Sequence, residues 1–298
     1  MNKKNKIIFF TGKGGVGKST VSSLCALNLA NSGKDTLLVS LDPAHNLQDI
    51  FQKKFSDKTY MLNDKLSIIQ IDVEKQIKSY LQNTIDKIER VYQYQSAFSI
   101  KNYFKVLKHS PGLEEYALLQ AFEQIIKKHS DKYLIFDMPP TALSLRFFGL
   151  PANSLIWLKE LIKLRNAILE KKEIITKVKF GKKEIETDKV STQLQTLNKE
   201  HLNIQQVFNS ETTKINIVLN PDKLSVNEAI RIQSSLNELK ILPAHFILNK
   251  NTSNTGQATF PFDVLKIPVH NKPLWGVENL QNFITENHIS NTLTHCIE

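Results

Sequence analysis

Short, almost unbroken apolar runs alternate along this chain with longer stretches in which apolar residues return every three or four positions. The runs at 6–11, 36–41, 67–72, 133–137, 214–220 and 243–248, with a shorter one at 264–267, have strand length and are rich in Ile, Val, Leu and Phe. A run that is apolar at successive positions predicts a strand covered on both faces, since a half-exposed strand alternates. The intervening helical spacing completes a strand–helix alternation, which predicts an α/β fold with a mostly parallel central sheet flanked by helices.

Two intervals are longer than a simple crossover, which needs only about a dozen residues. Residues 73–130 read as helices broken at Ser110-Pro111-Gly112, and residues 152–212 carry a long helical pattern followed by polar sequence. The excess predicts a helical subdomain, from about 73–130 and 152–212, set on one edge of the sheet within a single domain spanning 1–298. In the second interval Leu155, Ile156, Leu158, Leu161, Ile162, Leu164, Ile168 and Leu169 form a broad apolar helix face. That face fits either packing onto the sheet or a groove open to a partner. Neither an internal repeat nor a second phosphate-loop pattern is found, so a second nucleotide site would have to come from another chain.

With 298 residues, 41 % hydrophobic and 23 % charged, the chain has the composition of a soluble globular protein. Lys3, Lys4 and Lys6 precede an apolar run that is too short for a signal-peptide core (about 7–15 residues) or a membrane span (about 18 or more). A cytoplasmic protein with no transmembrane segment of its own is expected. Cys25 shares a helix face with Val21 and Leu24 and is read as a core residue; Cys296 lies near a terminus expected to fray. Without a C-x-x-C pair, a zinc clip, an iron–sulfur cluster and a redox motif drop out. The formal charge of +10 raises the question of nucleic acid. It is carried by dispersed lysines, with arginine only at Arg90, Arg146, Arg165 and Arg231, which argues against a nucleic-acid site.

The chemistry is concentrated at strand ends. Between the first strand and the helix that starts near Thr20 stands Gly12-Lys13-Gly14-Gly15-Val16-Gly17-Lys18-Ser19, the pattern G-x-x-x-x-G-K-[ST] in a strand–loop–helix setting. Glycines let such a loop fold into a nest of N–H donors, and the following helix turns its positive end to the anion. The pattern predicts a P-loop NTPase, with Lys18 on the β- and γ-phosphates and the Ser19 hydroxyl on Mg²⁺. Asp42 ends the second strand, where a water-positioning carboxylate belongs, and Asp137 ends the strand 133–137, where it would hold Mg²⁺ through water.

The stretch from Lys13 to Thr20 resembles the deviant phosphate loop of the dimeric ATPases that include ArsA, MinD, ParA and the nitrogenase iron protein. That resemblance implies ATP as the nucleotide, a homodimer, and Lys13 reaching across the interface to the partner's nucleotide. Asp42-Pro43-Ala44-His45-Asn46-Leu47 resembles the first switch of ArsA and of the eukaryotic tail-anchored-protein targeting ATPase, which implies that Asp42 orients the attacking water. Met138-Pro139-Pro140-Thr141-Ala142-Leu143-Ser144-Leu145-Arg146-Phe147 resembles their second switch. It departs at Met138, Pro139, Ala142 and Leu143, so a regulatory role of the family's Gly-His pair does not carry over. Ser110 to Glu115 and Asn220 to Glu228 are similar to further family blocks. Asn249 matches a position that hydrogen-bonds adenine, and Pro268 and Val269 match the start of the segment lining the base pocket.

The resemblance spans nearly the whole chain. It implies a Mg²⁺-dependent ArsA-like ATPase, a nucleotide-switched homodimer that couples hydrolysis to binding and release of an unidentified client protein or membrane partner. A ParA- or MinD-like positioning ATPase acting on DNA or membrane is the alternative. Asn279 to Glu298 contains no Lys or Arg, unlike a basic amphipathic membrane anchor. Two cysteines are too few for a thiolate metalloid site of the pump type.

Overall fold

Every residue of β1 (Ile7–Gly12) is buried, and its side chains serve two separate cores. Ile7 and Phe9 enter one, Ile8 and Phe10 the other, as the two-residue period of a strand covered on both faces requires. The computed structural model describes residues 6–44, 46–91, 110, 112–180, 188–252, 260–270 and 273–297. In it β1, β2 (Thr36–Ser40), β3 (Tyr60–Asn63), β4 (Leu66–Gln70), β5 (Tyr133–Asp137), β6 (Thr213–Leu219), β7 (His245–Asn251) and β8 (Val264–Pro268) form one sheet. Its order is β3-β4-β2-β5-β1-β6-β7-β8. Only β3 runs antiparallel to its neighbour. The expected α/β fold with a mostly parallel sheet is therefore the fold of this chain.

β3 is absent from the hydrophobic pattern for a physical reason. It is a four-residue edge strand, Tyr60-Met61-Leu62-Asn63, largely exposed and too short to stand out as a strand-length run. What makes it is the turn: the Asn63 side-chain oxygen accepts from the backbone N–H groups of Lys65 (2.9 Å) and Leu66 (2.7 Å), folding β3 back onto β4.

One core lies under α1 (Lys18–Asn31), α2 (Asn46–Phe51), α8 (Val277–Glu286) and α9 (Ser290–His295). The other lies under α4 (Leu113–Lys128), the start of α5 (Thr141–Phe180), the end of α6 (Lys189–Phe208) and α7 (Lys223–Glu238). Its centre is a group of phenylalanines. The Phe9 ring lies 5.1 Å from Phe136, 5.2 Å from Phe148, 5.6 Å from Phe122 and 5.9 Å from Phe208, in stacked, tilted and edge-on contacts.

The second long interval folds differently from its pattern. Its helix begins at Thr141, inside the Pro-Pro-Thr stretch, and continues through Pro151 for 40 residues. The polar sequence beyond it is also helical: Asp188 caps α6 by accepting from Val190 N–H and forks with Arg165 at 2.8 and 3.0 Å, tying α6 to α5. The apolar face of α5 does not pack onto the sheet. Within that set Leu158 is buried, whereas Ile156 is 66 % exposed, Leu164 58 % and Ile168 46 %. Beside it α3 (Val73–Val91), α4, α5 and α6 enclose a cavity of about 820 Å³, where Tyr80 stacks on Tyr116. Residues 92–109, Pro111 and 181–187 of the two intervals lie outside the described residues.

The expectation of a frayed Cys296 is overturned. Cys296 is fully buried in the core under α1, and burial pushes its thiol up to about 12. Asn216 Nδ2 donates to its carbonyl (3.0 Å), and Ser290 Oγ donates to Asn28 Oδ1 (2.7 Å). Those bonds and the apolar contacts of Leu293 and Ile297 fix the segment. Among the described residues no helix is long and apolar enough to cross a membrane.

Candidate nucleotide site

β1 ends where the chain has no space for a side chain: a Cβ on Gly12 would lie 2.2 Å from the Val218 carbonyl oxygen on β6. The loop then turns through Gly14 and Gly15 to Gly17, which caps α1 in the left-handed region (φ 92°) with no side-chain capping bond. The first N–H groups of α1 are thus not capped by a side chain, and Gly17, Lys18, Ser19 and Thr20 line a cavity of about 630 Å³. Lys18 is buried, and its ammonium donates to the Lys13 carbonyl at 3.3 Å. Burial holds its pKa below the ordinary lysine value, with Asp137 and Asp42 opposing that shift. Gly14 and Gly15 also line the cavity; Gly12, Val16 and the half-exposed Lys13 do not.

Two carboxylates stand at neighbouring strand ends. Asp42, just past β2, is buried and lines the cavity; its Oδ1 accepts from Ala44 N–H (3.0 Å) and its Oδ2 from Asn46 Nδ2 (3.4 Å). Asp137, the last residue of β5, is fully buried, and neither of its oxygens has a hydrogen-bond partner among the described residues. Burial raises its pKa to about 7; Ser19 and Lys18 are near enough to oppose the shift, though Ser19 closes no bond of normal geometry, and Asp42 adds to it. A buried carboxylate left without a partner is costly. Beside the Ser19 hydroxyl it is a pair of hard oxygen donors, and the two residues fit a hydrated Mg²⁺ ion.

Asn249, Pro268 and Val269 also line the cavity. Asn249 is buried, and its Nδ2 donates to the Val16 carbonyl in the phosphate loop at 2.8 Å. The β7–β8 register shifts between Leu248 and Asn251, and Lys250 sits in the left-handed region (φ 56°). Pro268 ends β8, and Val269 N–H donates to Asn251 O at 2.9 Å.

The second-switch stretch opens α5. Met138 is fully buried and Leu143 packs in the core, so these two of the four departures from the family pattern are apolar residues facing inward. Ser144 Oγ donates to Pro139 O (2.5 Å), and the Thr141 hydroxyl is buried with no hydrogen-bond partner among the described residues. Arg146 pairs with the buried Glu115 on α4 at 2.7 Å, joining two stretches read separately in the sequence. His45 lies outside the described residues. Sequence reasoning missed Asn46 as the partner of Asp42, although it stood in the quoted stretch. It also missed Lys250 as a lining residue, for which adjacency to Asn249 was the available signal.

Residues 5–262 match the family described as Anion-transporting ATPase. A protein of Aquifex aeolicus named arsenical pump-driving ATPase 2 is 28 % identical over 257 residues, covering 86 % of this chain and 83 % of its own length. An ATPase ASNA1 homolog of Plasmodium vivax is 30 % identical over 273 residues, covering 90 % of this chain and 67 % of its own. That of Plasmodium falciparum is 29 % identical over 289 residues, 96 % of this chain and 69 % of its own.

Proposed function

Because this chain belongs to the anion-transporting ATPase family and is an ATPase, we propose that it works as a Mg²⁺-dependent homodimer whose nucleotide state governs binding of a client or membrane partner. The observation that carries the site assignment is the set of opposed charges around the phosphate loop. Lys18 is buried against the loop, and Asp137 and Asp42 stand at the strand ends beside it. ATP places its phosphates over Gly14 to Thr20, where backbone N–H groups and Lys18 take up the charge of the β- and γ-phosphates. Ser19, and Asp137 through water, would hold Mg²⁺, which neutralises charge on the phosphate oxygens when bound. Asp42 accepts a hydrogen bond from the attacking water and aligns it with the γ-phosphorus. The new P–O bond forms as the bridging bond to the β-phosphate breaks, and the proton of the water passes to an oxygen of the transferred phosphoryl group, giving ADP and phosphate. Asn249, Pro268 and Val269 flank the base.

Lys13 does not line the cavity of its own subunit, and this supports its acting on the nucleotide of the other subunit. The test is complementation. Lys13→Ala and Asp42→Asn should each lower turnover, on the order of 10²-fold, as loss of one transition-state contact does. Mixing the two variants should restore part of the activity, because a mixed dimer has one site with its own Asp42 and Lys13 of the partner subunit. No recovery in mixtures shown to exchange subunits would place Lys13 in its own subunit's site or remove it from the chemistry.

The client surface is assigned to α3, α4, α5 and α6, as a subdomain of the one ATPase domain. Its support is Trp157 and Leu161, large apolar residues that line the cavity between α3 and α6 while 72 % and 41 % exposed. Against the positioning alternative, Leu293, Cys296 and Ile297 are committed to the core under α1 and are not free to enter a membrane. Proteins captured on the Asp42→Asn variant held with ATP would name the partner class. Recovery of DNA alone would favour the alternative.

A further inference from the structure

We propose that Asn249 is a strut of the phosphate loop, a positioning residue that holds the anion cradle in its binding shape whether or not a base is present. The proposal rests on the ATP reading above and concerns the half of the nucleotide that Asn249 does not touch.

Three observations carry it. Asn249 Nδ2 donates to the Val16 carbonyl at 2.8 Å, a buried bond between β7 and a loop 233 residues earlier. An amide can meet a carbonyl only through its nitrogen, so the chemistry fixes which way this side chain faces. The loop is also shaped around that amide: Gly17 has a left-handed backbone, and a Cβ on it would lie 2.3 Å from Asn249 Nδ2 and push the amide off Val16. Finally, β7 is distorted at this point. The register shift between Leu248 and Asn251 and the left-handed Lys250 bend the strand beside Asn249, and irregularities of this kind re-aim a side chain.

The consequence is mechanical. Val16 lies midway between the loop's glycines, and among the described residues the Asn249 amide is the side chain that bonds its carbonyl. With that bond the N–H groups from Gly14 to Lys18 are presented before ligand arrives. Without it the loop samples other shapes, and binding must order it first.

The test uses a ligand with no base. Isothermal titration with inorganic tripolyphosphate and with ATP, on the full chain and its Asn249→Ala variant, should show tripolyphosphate affinity falling about tenfold, the range expected for a buried acceptor that loses its donor. In the ligand-free variant, amide hydrogen exchange should accelerate at residues 14–18 while β1 and β5 keep their protection. Asn249→Leu, which retains volume but not the donor, should reproduce both effects and separates the bond from packing. If tripolyphosphate binding is unchanged while ATP binding falls, Asn249 serves the base alone and the strut is refuted. General unfolding of both variants would make the residue a core support and refute it equally. Wild-type protein that binds neither ligand would overturn the ATP reading itself, and the strut with it.

Discussion

Asp137 shows at the scale of one residue how a binding site is kept at the expense of stability. Its folded pKa of about 7 lies above the ordinary carboxylate value of 3.8 because burial dominates. Between about pH 4 and pH 7 the folded chain therefore holds a proton that the unfolded chain has released, and stability falls as pH rises through that window. Above about pH 7 the loss is complete. Asp137→Asn should abolish this slope and leave the ligand-free protein more stable than wild type at about pH 8, by a few kcal/mol in order of magnitude. Urea midpoints at about pH 5 and pH 8, without nucleotide or divalent cation, would check it; an unchanged slope would mean that Asp137 is charged throughout. The same variant should lose ATP hydrolysis. At this scale the sequence was most legible where a strand end fixes a residue's position. Asp42 and Asp137 could be placed from pattern alone, since a run of apolar residues followed by a polar one marks a strand's end, and Lys18 from the spacing of the loop glycines. The hydrogen bond of Asn249 to Val16 was not legible, because it depends on a bulge and a left-handed residue that leave no mark in the apolar pattern.

Among the elements, α5 departed most from its pattern, and the reason is its double duty. Its first turns pack Leu143, Phe147 and Phe148 into the core, while later turns carry Ile156, Leu164 and Ile168 in the open. One apolar periodicity thus runs through two environments, and Pro151, a residue that normally signals a break, sits inside the helix. The pattern located the helix but not its beginning or its exposed half. Arg146 holds the core-packed part against α4. Removing its guanidinium leaves Glu115 buried without its ion-pair partner, so Arg146→Ala should destabilise by about 1–3 kcal/mol. Because Arg146 itself is largely exposed, Glu115→Leu combined with Arg146→Ala should recover part of that loss. Chemical denaturation of the single and double variants gives the coupling; simple additivity would show that the pair does not join the two helices. β3 marks the opposite limit, a four-residue, largely exposed edge element made by its turn.

Across the whole molecule, the alternation of strands and helices was enough to read the sheet as mostly parallel, because strands buried on both faces must be apolar throughout. What it could not show was where the C-terminal segment goes. Short helices near a terminus read as loose ends, whereas α8 and α9 close the core beneath α1. Removal of residues 288–298 would expose Cys25 and Leu24 on α1 and strip Asn216 of its acceptor at Cys296. That variant should be markedly less stable, and it should lose nucleotide binding together with its fold although no site residue is deleted; a melting temperature equal to wild type would refute this. The closure also has a consequence in time. All the residues proposed to touch ATP or Mg²⁺ precede the segment that seals the core, so a chain emerging from the ribosome exposes a complete set of nucleotide ligands before it has the α9 packing that keeps α1 in place. ATP binding during synthesis should therefore lag behind the emergence of the site and begin only when the Leu293–Ile297 face has docked.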